Sequence, residues 1–317
     1  MKKIALLLAA MSTISMAAED VTEPVERIAQ ELNTTRAIAE DFLERIHFKG
    51  DLRLRYESKE TDFYDGSEKN TYHTRYRLRL GAKIDRVENV QFEVGMRSGF
   101  ANPTSGNQTF WDDQALSDYF FQSLRFNILG LAYKADNSTY KIGRQPYMMY
   151  RPIKSQLVWD NDVSLNGINY QYKDDSKIIT VGATQPTLEE AATDRSDDVN
   201  LFYAQYVHKT KLETSTLNLG AGIYYYDGLK DNVTLFGSRK GNTMYEDANG
   251  NNRYVNDYQV GEAFAELQFK DVFGMPFKAA AGIAYNFGAD ENNFGYDLAV
   301  KLGKTKNVGD WQVKYSY

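Results

Sequence analysis

Three consecutive stretches between residues 46 and 97 alternate apolar and polar side chains with a period of two, and this pattern constrains the fold most tightly. In the first, Ile46, Phe48, Leu52, Leu54 and Tyr56 alternate with His47, Lys49, Asp51, Arg53, Arg55 and Glu57. In the second, Tyr72, Tyr76, Leu78, Leu80, Ala82 and Ile84 are set against His73, Arg75, Arg77, Arg79 and Lys83. The third sets Val90, Phe92, Val94 and Met96 against Gln91, Glu93 and Arg97. Successive side chains of a strand point to opposite faces, so the alternation predicts half-buried antiparallel strands.

A soluble sandwich would bury the apolar face as core, usually with shorter strands. These segments run about ten residues or more, the length that crosses a bilayer at a tilt near 45°. Aromatic residues gather toward the segment ends, as membrane-interface girdles do. The polar face also carries more arginine than a solvated surface needs. The pattern predicts an all-β fold, an antiparallel transmembrane β-barrel with lipid outside and water inside.

The chain opens with Lys2 and Lys3, an apolar run over residues 4–10 and the small-x-small site Ser15-Met16-Ala17. This predicts a secretory signal peptide over residues 1–17, with cleavage after Ala17 and Ala18 as the next choice. No later stretch has the run of apolar residues that a spanning helix needs. With no cysteine in the chain, disulfide, cysteine–metal and thiol chemistry are excluded. A net charge of −6 argues against a nucleic-acid partner. The 23 tyrosines fit membrane interfaces, where an apolar ring with a polar tip is stable.

Residues 18–45 differ in kind. Val25, Ile28, Leu32, Thr35, Ala39, Phe42 and Ile46 follow spacings of three and four, with Pro24 near the start, which predicts a helix. It is either an amphipathic helix at the periplasmic mouth or a short coiled coil between subunits, with Thr35 and Ala39 weakening such a seam.

From residue 46 to 317 the pattern predicts strands near 46–57, 72–84, 90–97, 119–133, 139–145, 163–173, 177–183, 198–208, 212–226, 258–270, 276–287, 294–304 and 310–317. Long connections (58–71, 98–118, 146–162, 184–197 and 227–257) alternate with tight turns such as Asp174-Asp175-Ser176. Long loops outside and short turns in the periplasm are the habit of outer-membrane barrels.

The sequence also carries a resemblance. The stretch over residues 50–57, GDLRLRYE, the RLRL segment at 77–80, the loop from Arg97 through Asn102-Pro103-Thr104 to Phe110, and the segment from Asp310 to Tyr317 resemble the putative porin family of Gram-negative bacteria. The resemblance covers most of residues 46–317 and implies an outer-membrane channel for small hydrophilic solutes and ions, with no catalytic residue and no cofactor. It further implies a homotrimer surrounded by outer-membrane lipid. Closing an antiparallel barrel takes an even number of strands, so thirteen predicted strands mean either one miscounted strand or missing C-terminal strands. The resemblance implies about sixteen in the complete barrel. A rival from another class is an adhesive or structural surface protein that acts through its long loops.

Other chemistry finds little support. His47, His73 and His208 all fall on the polar face by parity, and none has a serine in an evident motif beside it. Asp247-Ala248-Asn249-Gly250-Asn251 starts like a calcium loop, but Asn252 and Tyr258 stand where that motif wants Gly and Glu. No metal site is expected. The sharper candidates are the pore-lining arginines Arg53, Arg55, Arg75, Arg77, Arg79 and Arg97. Pairing Glu57 with His73 would set Arg55 opposite Arg75, Arg53 opposite Arg77 and Asp51 opposite Arg79, with Arg77 near Arg97 across the next turn. Like charges directly opposite are destabilising, so acids from a folded-in loop are expected to offset them, with Asp112, Asp113 and Asp118 as candidates.

Overall fold

The computed structural model describes residues 22–62, 68–99, 108–110, 124–160, 163–186, 199–233 and 241–317. Two compact units divide the chain, Met1–Ile46 and His47–Tyr317. The predicted signal peptide lies outside the described residues.

In the first unit, helix α1 (Thr22–Glu44) forms where the three-and-four spacing places it. Pro24 sits in its first turn, where a missing N–H is tolerated. Two i,i+4 ion pairs lie along its surface, Arg36–Glu40 at 2.9 Å and Arg45–Asp41 at 2.7 Å. Ile28, Leu32 and Leu43 are exposed. The side chains of Val25, Ala39 and Phe42 lie outside the described residues.

The second unit is built on one sheet. Its strands are β1 (Ile46–Asp62), β2 (Glu68–Val87), β3 (Val90–Ser98), β4 (Gln108–Thr109), β5 (Leu124–Ala135), β6 (Ser138–Pro146), β7 (Ser164–Lys173), β8 (Lys177–Pro186), β9 (Asn200–Lys211), β10 (Ser215–Asp227), β13 (Gln259–Val272), β14 (Met275–Asn286), β15 (Phe294–Leu302) and β16 (Trp311–Ser316). A separate two-stranded hairpin, β11 (Met244–Glu246) with β12 (Asn252–Tyr254), lies in the connection before β13. Thirteen strands follow one another as hydrogen-bonded neighbours in sequence order, and β4 adds beside β2. Every pairing whose register is described is antiparallel. Each of the thirteen segments read from the alternation holds a strand among its described residues; 119–123 and 198 lie outside them.

Two departures have clear causes. Residues 58–62 and 68–71, expected in a loop, extend β1 and β2 to 17 and 20 residues. That is longer than a bilayer crossing needs, and a hairpin with water on both faces loses its apolar alternation. The hairpin β11–β12 is held by Asp247, whose carboxylate accepts the N–H groups of Asn249 and Asn251 at 2.9 Å each and Arg253 Nε at 2.6 Å. The Arg253 bond leads in pulling its pKa down to about 2. This carboxylate shapes a turn, and it is already committed to protein donors.

Burial along the strands is inverted relative to a soluble sheet. In β3, Gln91, Glu93 and Arg97 are buried while Val90, Phe92, Val94 and Met96 are more exposed. Phe48, Leu54 and Ile223 are 76%, 67% and 65% exposed, whereas Arg97, Gln205 and Glu266 are 2%, 3% and 2% exposed. An exposed apolar surface of this extent requires an apolar solvent, since monomers in water rarely expose more than a few hundred Å² of it contiguously.

The tight turns are built from polar caps. Asp174 Oδ1 accepts from Ser176 N at 2.7 Å, Ser176 Oγ at 2.8 Å and Lys177 N at 2.8 Å. These bonds, the Ser176 hydroxyl foremost, hold its carboxyl well below the usual range. Inside the sheet, two glycines make room for rings on the polar face. Gly182 pairs with Tyr203 and Gly220 with Phe264, and a Cβ at either glycine would run into the partner ring.

Candidate functional site

The charged end of the polar face is built by β1, β2, β3 and β6. Glu57 receives Arg55 Nη1 at 2.6 Å and Arg75 Nη1 at 2.9 Å. Asp51 receives Arg77 Nη2 at 2.8 Å, with Arg79 Nε 4.0 Å away. Glu93, nearly buried, receives Lys83 at 2.5 Å and Lys141 at 3.4 Å. Asp85 binds His47 Nε2 at 2.9 Å and Gln91 Nε2 at 2.7 Å. Acids on the strands themselves therefore offset much of the arginine wall. Asp112, Asp113 and Asp118 lie outside the described residues.

All six predicted arginines fall on strands of this wall. Arg53 is exposed, and among the described residues it has no hydrogen-bond or ion-pair partner. Arg97 lies directly opposite Arg79, with Arg77 one diagonal step away, because the one-residue shift between Asp85 and Val87 moves it off Leu80. On its other side Arg97 pairs with Arg125 of β5, which the sequence reading missed. Three guanidinium-bearing positions thus stand in one row across β2, β3 and β5.

His208 corrects the parity reading. It shares the outward face of β9 with Phe202 and Tyr206, while Leu201, Tyr203, Gln205 and Val207 face inward and are buried. Apolar side chains occupy both faces of this strand, so its pattern alone does not say which face is inside.

Those inward apolar residues are explained by the connection between β6 and β7. Its described residues, 147–160 and 163, fold against the polar face. Met149, Trp159 and Val163 pack in one cluster with Leu165, Leu201, Tyr203 and Tyr224. The short turn Pro152–Lys154 packs on β13, β14 and β15. Tyr150 is the hub. Its N–H donates to Gln205 Oε1 at 2.7 Å, and its carbonyl accepts from Gln205 Nε2 at 3.0 Å. Its hydroxyl donates to Glu266 at 2.7 Å and accepts from Asn218 at 2.9 Å. Glu266 also accepts Ile153 N at 2.6 Å and the amide of Gln268. Ile153 and Lys154 adopt φ of 45° and 54°, a left-handed conformation uncommon for a β-branched residue. Arg151 braces the loop by donating to the carbonyls of Ser155 and Trp159, at 3.0 and 3.1 Å.

The folded-in loop packs on β7 to β10 and β13 to β15, which leaves open space beside the charged strands. One hollow of about 400 Å³ is lined by residues of β1, β2, β3, β5, β6 and β7 together with Val163. A second, about 320 Å³, lies between Pro146 and the basic loop residues Arg151 and Lys154.

A sheet with a lipid-compatible outer face, a charged inner face and an inward loop defines a class: the β-barrel channels of Gram-negative outer membranes. The model of the putative porin family matches residues 60–268, and the chain belongs to that family. The fold is similar to a structure of Pseudomonas putida OprB at high pH, with 12% identity and a TM-score of 0.54 over 87% of this chain and 76% of that one. Acinetobacter baumannii DcaP, an outer-membrane channel, aligns at 12% identity and a TM-score of 0.41, over 86% of this chain and 90% of that one. Salmonella typhi OmpF in complex with daunomycin aligns at 11% and 0.41, over 86% and 89%. A comparison with curated proteins finds no match. The protein is an outer-membrane porin, and its family and fold are those of a channel rather than an enzyme.

Proposed function

We propose that the protein is a passive, water-filled diffusion channel that passes small hydrophilic solutes and favours anions. The observation that carries this reading is the row Arg79–Arg97–Arg125 on the polar face, with Lys83 and Lys141 beside it. Fixed cations in a narrow pore attract anions and raise the barrier for cations. Residues 1–17 act as the export signal, residues 18–45 supply a periplasmic helix, and residues 46–317 contribute the barrel. A homotrimer in outer-membrane lipid is the proposed assembly. The exposed Ile28, Leu32 and Leu43 of α1 support a helix that associates, at the barrel mouth or with its copies in a short coiled coil. Asp112, Asp113 and Asp118 remain proposed constriction acids facing the arginine row.

Liposome swelling tests the transport reading. Proteoliposomes should swell in small neutral sugars and faster in the salts of small anions, whereas large oligosaccharides should give no swelling. Proteoliposomes that behave like protein-free vesicles in every solute would contradict a diffusion channel.

A further inference from the structure

Among the described residues, the 400 Å³ hollow beside β1–β3 is more than open lumen, because its floor and rim differ in chemistry. The floor is the directly opposed pair Gly81 and Gly95. Two residues along the same strands, on the same face, stand Arg79, Lys83 and Glu93, so the missing side chains leave a recess with charge beside it, which Ile128, Pro146 and Val163 also line. A Cβ at Gly81 would lie 3.0 Å from the Val94 carbonyl oxygen, and at Gly95 3.2 Å from Ile128 Cβ. Larger residues would therefore both crowd the wall and fill the recess.

The rim carries four cations, Lys49, Arg79, Lys83 and Lys141, against two carboxylates, Asp51 and Glu93. Subtracting two from four leaves two positive charges in the hollow. Lys83 and Lys141 both converge on the one Glu93 carboxylate, at 2.5 and 3.4 Å. Each ammonium carries three N–H donors and one carboxylate cannot use them all, so donors remain for an incoming acceptor. The hollow is too large for a chloride ion to contact both sides at once, and its excess charge is matched by two negative charges.

We propose that this glycine-floored hollow is a saturable binding site for a small doubly charged oxyanion, a phosphate or a short dicarboxylate, on the permeation path. The site deepens the anion-channel reading and rests on it. Lys49, Lys83 and Lys141 draw the dianion in, Glu93 holds the two partly buried lysines in place, and its competing charge keeps the ligand releasable. A permeant solute must bind well enough to enter and weakly enough to leave.

The test records chloride current through the full chain in a planar bilayer while inorganic phosphate near pH 8, or succinate, is added at constant ionic strength. Both dianions should reduce the current along a saturating curve, and the monoanion gluconate should not. Lys49→Gln with Lys141→Gln removes both excess charges while leaving Lys83 on Glu93. This variant should raise the half-inhibiting concentration by about tenfold or more. If it inserts poorly, Lys49→Gln alone, at an exposed rim position, should still raise it by about threefold. Non-saturating inhibition, equal inhibition by gluconate, or an unchanged half-inhibiting concentration in a conducting variant would overturn the site. If the reversal potential stays on the chloride side in those cases, the anion channel stands without this site. A reversal potential on the potassium side would bring down the channel reading itself.

Discussion

Replacing Glu266 with alanine should loosen the inward loop and raise the single-channel conductance. Glu266 is 2% exposed and takes Tyr150 Oη at 2.7 Å, Ile153 N at 2.6 Å and the Gln268 amide, with Lys278 at 3.6 Å. Hydrogen bonds to a charged group contribute about 1.5–3 kcal/mol each, so losing the two from the loop removes roughly 3 kcal/mol or more of anchoring. The left-handed Ile153 adds to the effect, because such a conformation persists only where surrounding bonds over-determine it. Glu266→Gln keeps the size and one acceptor, and should give a smaller rise with less current noise. The wall itself should survive, since β13 remains paired to β10 and β14 along its length. A folded Glu266→Ala barrel with unchanged conductance would place the anchoring in the Met149–Trp159 cluster instead.

Reversing charge on the arginine wall should move ion selectivity toward cations. Arg53 and Arg79 are the positions of choice, since Arg53 is exposed and Arg79 is only partly buried. Arg77 and Arg97, 7% and 2% exposed, are poorer choices because reversal there would strand a buried carboxylate. Two unit charges about 4 Å apart interact by roughly 1 kcal/mol in bulk water and roughly 4 kcal/mol at an effective dielectric near 20. Each reversal changes the local charge by two, so Arg53→Glu with Arg79→Glu should lower the chloride-to-potassium permeability ratio by about tenfold or more. The net charge of −6 should matter less, because charges more than about 8 Å from the path are screened at physiological salt. An unchanged ratio in a folded double variant would mean that the wall is hydrated and remote from the path.

The strands of this barrel were legible because each one answers to a local rule. Val90, Phe92, Val94 and Met96 must face lipid, and Gln91, Glu93 and Arg97 cannot, so period two fixes both existence and facing. The arginine wall was legible for the same reason. Its register was not, because the shift between Asp85 and Val87 that sets Arg97 opposite Arg79 depends on turn geometry. The inward loop was hidden more deeply. Glu266, Gln205 and Asn218 lie 116, 55 and 68 residues from Tyr150, and on their own strands each is simply a polar inward residue. One signal was available: Met148, Met149, Tyr150, Leu157, Val158 and Trp159 make a supposedly solvated connection too apolar to stay in water. Met149, Val158 and Trp159 pack with Leu201 and Tyr203, which is why β9 is apolar on both faces and the facing of His208 was misread.

The charged face is proposed to enclose an open, anion-favouring water path. A planar-bilayer recording of the purified protein across a KCl gradient tests it most directly. Discrete conductance steps with a reversal potential on the chloride side are the predicted result. A folded, inserted protein that gives no steps, or whose steps reverse at the potassium potential, would contradict it.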